Sequence, residues 1–395
     1  MPVVRALAMA LAVMLGVAAC GAPGTSPSLG ASMAPSGSAA GPGLTPDAAG
    51  TSGTAVSATP TQGPTLGQIS TRVTAFYYPW YGSLAHDGAW RHWNQLSHTP
   101  PDDISSSFYP QRGAYSSRDP AVIAAQMADL QSARIGVIAV SWWGQGSWDD
   151  SSLDAVFVAA GSAGIKIAFH MEPYQGQTAA SIASDVRYLL GRYGSSAALL
   201  RISRPTSGDP STAARPVFYL FASSRLPVAD LQATIAGLRP TSYDSIVMVH
   251  SPKAISAKRL GADGVYTYDA MASPEAFAAL VSDCRTDNLI CSPSVAPGFD
   301  NSNAVATGLL FVDRAGGARY DAMWQAAISA GAEWISVTSY NEWHEGTQIE
   351  PATALAGGLR TYLGYEGAYG AASTDSPKAY LVRTAYWIDR FQPGG

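Results

Sequence analysis

The chain has 395 residues, of which 47% are hydrophobic and only 13% charged, which excludes a small disulfide scaffold and is enough for a large core. With 24 Lys and Arg against 29 Asp and Glu, the formal net charge is -5, so no basic excess is present to neutralise nucleic-acid phosphates. Aromatic residues make up 10% of the chain, including 10 Trp and 19 Tyr, which favours a surface for flat, uncharged partners such as carbohydrate.

Residues 1–19 have the features of an export signal. The apolar run 6–19 is too short to cross a bilayer as a finished helix but has the length of a signal-peptide core. Small residues lead into Cys20, which resembles the lipobox of bacterial lipoproteins, with Val17 in place of the more usual Leu. We expect lipidation of Cys20, with an ordinary A-x-A type cleavage as the alternative. The mature chain is then exported and anchored to the bacterial cell membrane, facing outside the cytoplasm.

Residues 20–70 form a segment of low complexity after this cysteine. Nearly all of them are Gly, Ala, Pro, Ser or Thr, with a single charge at Asp47 and no aromatic residue. Such a composition does not nucleate a core, and a flexible chain of about 50 residues spans roughly 40 Å. We predict a flexible tether here; the alternative is that it folds against the domain formed by residues 71–395.

After residue 70, extended apolar segments alternate with segments of helical periodicity. The predicted strands are 72–79, 136–143, 166–172, 216–221, 245–251, 264–270, 290–297 and 334–341. The predicted helices are 119–133, 149–163, 179–193, 228–238, 253–260, 273–284, 322–331 and 377–391. This alternation is typical of parallel βαβ units. Eight units predict an α/β fold, a (β/α)8 TIM barrel in a single catalytic domain, with a doubly wound open sheet as the alternative.

Polar and aromatic residues gather where five of these strands end, and a barrel of this type builds its active site there. They include Tyr77, Tyr78, Trp80, Tyr81, Ser141, Trp142, Trp143, His170, Glu172, Tyr174, Tyr266, Tyr268 and Asp269. The last strand runs into Asn341, Glu342, Trp343, His344 and Glu345. We interpret these clusters as a binding site, although any single ring is equally well explained as barrel core.

The segment after the last strand carries three carboxyl groups, those of Glu342, Glu345 and Glu350. Two carboxyls three residues apart suit the acid and base of glycoside hydrolysis; the alternative is a solvated acidic turn. His344 lies among them, but the H-E-x-x-H spacing is absent and the chain has only six His, so we expect no metal. No dinucleotide, Walker or G-x-S-x-G motif is found, and we expect no cofactor.

Cys284 and Cys291 lie outside the cytoplasm in an exported protein, around the short segment that leads into the seventh strand. We predict a disulfide between them, with two buried thiols as the alternative.

The motifs together resemble a known family. They read Phe76-Tyr77-Tyr78-Pro79-Trp80-Tyr81-Gly82, His92-Trp93, Ser141-Trp142-Trp143, Phe169-His170-Met171-Glu172-Pro173-Tyr174, Gly264-Val265-Tyr266-Thr267-Tyr268, and the twelve residues from Ser339 to Glu350. This combination resembles glycoside hydrolase family 99 over roughly residues 74–391, and the last motif is the most specific. The resemblance implies a barrel fold and an endo-acting α-mannosidase or α-mannanase that retains anomeric configuration.

The resemblance also implies a mechanism in which the 2-hydroxyl of the substrate is the nucleophile and a 1,2-anhydro sugar is the intermediate. Glu342 would deprotonate O2, and Glu345 would protonate the leaving oxygen and later activate water. Substrate-assisted families are exceptions to the usual carboxyl separation of retaining enzymes. The residues implied around the sugar are Tyr78, Tyr81, His92, Trp93, Trp142, His170, Tyr268, Asn341 and His344.

Two other functions stay open at this point. One is a sugar-binding lipoprotein without turnover, against which the presence of both Glu342 and Glu345 argues. The other is a glycosidase for a different polysaccharide, because loops rather than the fold set specificity. The expected partners are an α-mannan or mannosylated glycan as substrate and the membrane through the lipid anchor, and we expect a monomer.

Overall fold

The protein is described from a computed structural model that covers residues 68–205, 212–356 and 359–391. The predicted signal peptide, Cys20 and nearly all of the predicted tether lie outside the described residues. No helix in the described ranges has the length and apolar character needed to cross a membrane.

Eight parallel segments of the chain form a closed barrel. The strands are β1 (Ser70–Tyr77), β2 (Ile135–Trp142), β3 (Lys166–Met171), β4 (Ala214–Leu220), β5 (Ile246–His250), β6 (Gly264–Tyr266), β7 (Ile290–Ser292, continued by Ser294–Val295) and β8 (Ile335–Val337). Each strand pairs with the next, and β8 pairs with β1. The predicted (β/α)8 barrel is confirmed, and the open doubly wound sheet is excluded.

The barrel closes at Pro293, in the middle of β7. Proline has no amide hydrogen to donate to a ladder, so regular pairing is interrupted at this residue. Before it, Ser292 pairs with Tyr266 of β6; after it, Ser294 pairs with Ser336 of β8. On one side of this break β7 therefore pairs with β6, and on the other side it pairs with β8.

Helices cover the outside of the barrel. They are α1 (Pro120–Ser132), α2 (Leu153–Ser162), α3 (Ala179–Tyr193), α4 (Val228–Leu238), α5 (Ala254–Leu260), α6 (Ala276–Thr286), α7 (Ala318–Ser329) and α8 (Ala379–Ile388). Their starts follow local rules: the Asp119 carboxylate accepts the amide of Ala121 at 2.8 Å, and Thr178 forms a capping box with Ser181. A single short helix, Leu84–Asp87, precedes α1 in the described chain.

Short elements decorate the loops. The 3-10 turns are Gln95–Ser97, Asp150–Ser152, Ser223–Arg225, Ala315–Gly317, Ala368–Gly370 and Ser373–Lys378. Small antiparallel pairs join Tyr109–Pro110 to Ala352–Thr353, Arg201–Ser203 to β4, and Phe299–Asp300 to Phe311–Val312. We call the last pair and its connection the 299–312 hairpin, and the sequence did not predict it.

Aromatic rings fill the interior of the barrel. The ring centroids of Phe76 and Tyr219 are 5.9 Å apart, and those of Tyr219 and Tyr266 are 5.0 Å apart. All three side chains are buried. The barrel is therefore a packed core and not a pore, and a ligand has room only at its ends.

The opposite, N-terminal end of the barrel is tied by buried ion pairs. Arg239 binds Asp263 at 2.8 Å and Asp244 at 2.9 Å, and Arg215 binds Asp244 at 2.7 Å. Asp263 also accepts the amide of Val247 in β5 at 2.7 Å. Burial of these charges is compensated by their mutual pairing, so this end serves structure.

Cys284 and Cys291 are paired as a disulfide, with their Cα atoms 5.8 Å apart. The bridge joins the end of α6 to the start of β7.

Two strands, β6 and β8, end four residues earlier than the sequence predicted. The chain leaves β6 after Tyr266, because Tyr268 has a φ of +52°, in the left-handed region that no strand uses. It leaves β8 after Val337 and enters a loop that closes on itself. Helix α7 begins four residues before the predicted start, directly after Gly317, whose φ of +102° turns the chain into the helix.

Candidate active site

Residues 338–350, which we call the β8 loop, lie at the C-terminal end of the barrel. The amide of Ser339 donates to the carbonyl of Thr347 at 2.9 Å, and the amide of Glu350 donates to the carbonyl of Tyr340 at 2.8 Å. Every residue of the loop is buried. Because its two ends are hydrogen-bonded to each other, the loop presents its side chains from a fixed backbone.

One carboxyl oxygen of Glu342 accepts a hydrogen bond, and the other has no hydrogen-bond partner among the described residues. Its Oε1 accepts the amide of His344 at 3.1 Å, and Nδ1 of His344 is 3.4 Å from the same oxygen. Its Oε2 is buried and has no hydrogen-bond partner among the described residues. The side chain is 1% exposed, so this oxygen is an acceptor directed into a site that excludes most water.

Glu345 is held by tyrosines that follow β1 and β6. The hydroxyl of Tyr268 donates to Oε2 of Glu345 at 3.2 Å, and the same hydroxyl forms a short hydrogen bond with that of Tyr78. The main-chain carbonyl of Glu345 accepts the amide of Asp300 at 2.7 Å. Residues that follow β1 and β6 therefore hold the side chain of Glu345, and the 299–312 hairpin holds its main chain.

The environments of the two carboxyl groups separate their proton affinities. Burial raises the pKa of Glu342, but the hydrogen bond and charge of His344 oppose that increase. Burial raises the pKa of Glu345 well above its ordinary value, and the negative charge of Glu342 raises it further. The pKa of Glu345 is therefore raised further than that of Glu342, so a single proton shared by the pair resides on Glu345.

The end of β1 is fastened to the β8 loop. The amide of Tyr78 donates to Oδ1 of Asn341 at 2.7 Å, and Nδ2 of Asn341 donates back to the carbonyl of Tyr78 at 3.0 Å. The hydroxyl of Tyr81 donates to the carbonyl of Asn341 and accepts the amide of Trp343, both at 3.1 Å. Asn341 and Tyr81 thus hold the loop that carries the carboxyl pair.

His170 belongs to the same cluster, at the end of β3. Its Nδ1 is 2.9 Å from Oε1 of Glu172, and its Nε2 is 2.9 Å from the hydroxyl of Tyr266. Its ring stacks on Tyr268 at a centroid distance of 5.7 Å. Glu172 is fully buried, and its charge raises the pKa of both Glu342 and Glu345. The sequence analysis placed Glu172 in the cluster at the end of β3 but assigned it no role in the site.

Trp80 contacts three neighbouring rings, and we call these four rings the aromatic row. Its members are Trp80, His92, Trp143 and His344. Trp80 stacks on His92 with centroids 4.4 Å apart and an interplanar angle of 11°. Its centroid is 6.2 Å from that of Trp143 and 5.8 Å from that of His344. His92 and Trp143 are half-buried, so the row extends from the carboxyl pair toward solvent.

Trp93 lies behind this row. Its ring is fully buried and stacks on Tyr81 at 4.1 Å, and its Nε1 donates to the carbonyl of Tyr115 at 2.7 Å. It therefore supports Tyr81 from the protein side.

The structure does not bring Trp142 to the cluster, contrary to the expectation from the sequence. Its ring is fully buried, stacks on Tyr188 of α3 at 6.3 Å, and donates its Nε1 to Asp150 at 2.8 Å. Successive strand residues point to opposite faces, so at the end of β2 it is Trp143 that faces the site. The Nε1 of Trp143 donates to the hydroxyl of Ser141, and this hydroxyl donates to Oε1 of Glu172.

Glu350 is also placed apart from the carboxyl pair. Its Oε1 accepts from Gln126 at 2.8 Å and from Arg112 at 3.3 Å, and its Oε2 accepts from Tyr115 at 2.7 Å and from Trp343 at 2.9 Å. These four partners satisfy both oxygens. Glu350 is a structural anion that fixes the Trp343 indole within the β8 loop.

In the described part of the chain, no three His, Cys, Asp or Glu side chains are arranged to hold a metal ion. The chemistry available here is that of carboxyl groups, hydroxyls and rings.

Two buried carboxyl groups with separated proton affinities, at the C-terminal end of a (β/α)8 barrel and beside a row of aromatic rings, are typical of a glycoside hydrolase. The chain belongs to glycosyl hydrolase family 99, whose model matches residues 68–393. Membership of the family expected from the motifs is thereby confirmed.

The chain is similar in sequence to two vertebrate proteins and in structure to a bacterial one. The chain is 34% identical to a glycoprotein endo-alpha-1,2-mannosidase-like protein of Danio rerio over 357 residues, which are 80% of this chain and 77% of the relative. It is 33% identical to the glycoprotein endo-alpha-1,2-mannosidase of Mus musculus, over 80% of this chain and 74% of the relative. The solved GH99 endo-alpha-mannosidase of Bacteroides thetaiotaomicron superimposes with a TM-score of 0.73 at 31% identity, covering 82% of this chain and 98% of the other.

The two tandem tryptophans give a matched pair of variants. We expect Trp143→Ala to raise KM for an oligosaccharide about tenfold, because a ring beside the site contributes about 1 kcal/mol or more to packing. Trp142→Phe loses its bond to Asp150 and should lower the free energy of unfolding by about 1–2 kcal/mol with KM near wild type. Steady-state kinetics and denaturant unfolding measure both; a larger KM effect at Trp142 would contradict the placement.

The separated proton affinities predict a bell-shaped pH profile. With Glu345 as a protonated acid, kcat/KM is expected to fall as the pH rises through its raised pKa. With Glu342 as an ionised base, kcat/KM is expected to fall as the pH decreases through the pKa of Glu342. The alkaline limb should disappear from the residual activity of Glu345→Gln, and its persistence would assign that limb to another group.

Proposed function

We propose that this glycoside hydrolase cleaves internal α-mannosidic linkages of a mannan or mannosylated glycan with retention, using the substrate's 2-hydroxyl as nucleophile. Membership of the family and the named α-mannosidase relatives support the linkage type. The observation that carries the mechanism is the carboxyl pair: Oε2 of Glu342 is buried without a hydrogen-bond partner among the described residues, and the pKa of Glu345 is raised well above its ordinary value.

Stereochemistry explains why a mannoside suits this route. In an α-mannoside the axial O2 is trans to the axial leaving group at C1, so O2 can attack C1 from the back. In an α-glucoside O2 is equatorial and cis to the leaving group, and this attack is impossible. Selectivity for mannose thus follows from the reaction itself as well as from the shape of the site.

The first step moves two protons. Glu342 accepts the proton of O2 while O2 forms a bond to C1, and Glu345 gives its proton to the glycosidic oxygen as the bond from C1 to that oxygen breaks. The product is a 1,2-anhydro sugar. In the second step water attacks C1 as the bond from C1 to O2 breaks, Glu345 takes a proton from this water, and Glu342 returns its proton to O2. Both carboxyl groups return to their starting states.

The neighbours of each carboxyl group suit its assigned role. The amide of His344 donates to Glu342 and favours its ionised form, as a base requires. Burial and the nearby charges of Glu342 and Glu172 keep the proton on Glu345, as an acid requires. In a site of low polarity these effects are stronger than they would be in water.

Export and lipid anchoring are the second part of the proposal. They rest on the sequence around Cys20 and on the composition of residues 20–70. A lipidated cysteine followed by a chain spanning roughly 40 Å would let the barrel reach polymeric glycans around the cell. We further propose that the enzyme acts as a monomer.

The two glutamates make separable predictions. We expect Glu345→Gln to reduce kcat/KM on α-mannan at least about 100-fold, in line with the contribution of a positioned acid. On an α-mannosyl fluoride the loss should be much smaller, since fluoride departs without a proton. Glu342→Gln should lose activity on both substrates, because without a base the O2 nucleophile is not formed. Calorimetry should show that both variants still bind the oligosaccharide.

A blocked substrate tests the nucleophile directly. A mannoside with its 2-hydroxyl methylated should resist the wild-type enzyme, whereas the same modification on a non-reacting sugar serves as the control. Efficient hydrolysis of the blocked substrate would exclude the anhydro-sugar route and leave the glycosidase assignment intact. Full activity of both Gln variants would reject the roles of Glu342 and Glu345, and oligosaccharide binding without any turnover by the wild type would favour a binding protein.

The anchor is tested by changing one residue. Cys20→Ala should release active enzyme from the membrane fraction, because the acyl chains and not the tether hold the protein there. Fractionation followed by an activity assay measures the release. Unchanged membrane association would reject lipidation of Cys20.

A further inference from the structure

Arg314, just after the 299–312 hairpin, has an unusual environment for a cation. Its guanidinium carbon lies 4.5 Å from the ring centroid of Phe108, 4.9 Å from that of Tyr365 and 4.7 Å from that of Tyr380. No carboxylate of the described residues is within ion-pair distance of it, and its Nε and Nη1 are buried without a hydrogen-bond partner there. Three ring faces take the place of a counter-ion.

The hydrogen bonds of this guanidinium go to the β8 loop. Nη2 of Arg314 donates to the carbonyl of Gly346 at 2.9 Å and to that of Gln348 at 2.7 Å. These carbonyls follow directly after Glu345 in the chain. The cation therefore fixes the main chain that carries the proposed acid, without touching its carboxyl group.

The hairpin fixes the same main chain from an adjacent point. The amide of Asp300 donates to the carbonyl of Glu345 at 2.7 Å. Gly346 has a φ of +60°, and a Cβ at this position would lie 2.9 Å from the carbonyl oxygen of Asp300. Only glycine fits there, and glycine is also the residue with the greatest freedom to rotate when its partners are removed.

We propose that Arg314 is a positioning residue for Glu345: by holding the carbonyls of Gly346 and Gln348, it keeps the acid in line with the leaving oxygen. The proposal rests on the role proposed above for Glu345. A misplacement of about 1 Å at a reacting group costs about 100-fold in rate. A planar guanidinium suits the position, because it stacks between rings while one nitrogen serves two acceptors, which the ammonium of Lys does not reproduce.

The test compares Arg314→Met with a matched arginine. Nη2 of Arg319 also donates to two main-chain carbonyls, those of Ala270 and Ala272 at 2.6 and 3.1 Å, but on the loop after β6. For each variant, kcat/KM is measured on mannan, whose leaving group needs a proton, and on an α-mannosyl fluoride, whose leaving group needs none. Thermal unfolding measures the loss of stability separately.

We expect Arg314→Met to lose about 30- to 100-fold in kcat/KM on mannan and less than about threefold on the fluoride. Arg319→Met should keep the wild-type ratio of the two substrates. Equal losses on both substrates, or no loss on either, would overturn the proposal, since a structural defect does not distinguish leaving groups. If Arg314→Met does not fold, Arg314→Lys, which keeps the charge, takes its place and must show the same selective loss.

Glu345→Gln measured in parallel separates the two proposals. If it is spared on the fluoride and the Arg314 variant is not, positioning by Arg314 is rejected and the acid role of Glu345 stands. If Glu345→Gln itself loses equally on both substrates, the acid role is rejected, and the positioning proposal is rejected with it.

Discussion

Burial of two carboxyl groups in one pocket is the constraint on which the site depends. Removing a charge from water is costly unless it is paired, so neighbouring buried carboxyls of like charge do not both ionise. Here the cost falls unevenly, because Glu342 has His344 beside it, whereas the only described hydrogen bond to the Glu345 carboxyl comes from the hydroxyl of Tyr268. The uneven surroundings give two chemically identical side chains different proton affinities, as the proposed base and acid require.

This arrangement demands a rigid backbone, and most polar side chains around the site serve it. Asn341 and Tyr81 use their hydrogen-bonding groups on main-chain atoms of the β1 and β8 ends, and Glu350 holds the Trp343 indole. Arg314 holds the outgoing half of the same loop. Many residues that the sequence suggested as substrate contacts therefore hold the main chain in place. Few side chains remain available to react.

The sequence identified candidate site residues because they lie at strand ends. It did not show toward which face of the sheet each side chain points. Trp142 and Trp143 are identical in type, and only the pleat of β2 shows that Trp142 faces α3 and Trp143 faces the aromatic row. Glu350 shares a motif with Glu342, but its bonds to Gln126, Arg112 and Tyr115 depend on distant segments. Glu172 was recognised as a strand-end residue but given no role, because its place near the carboxyl pair is a tertiary contact.

The sequence by itself determined the barrel, the order of its strands and the loop that carries the carboxyl pair, because hydrophobic periodicity and the alternation of strands and helices are local properties of the chain. Only the tertiary structure showed that β7 is interrupted where it changes pairing partner. It also showed that Glu350 lies apart from the carboxyl pair and that aromatic rings surround Arg314. Each depends on contacts between residues far apart in the chain, and these contacts set burial, proton affinity and direction.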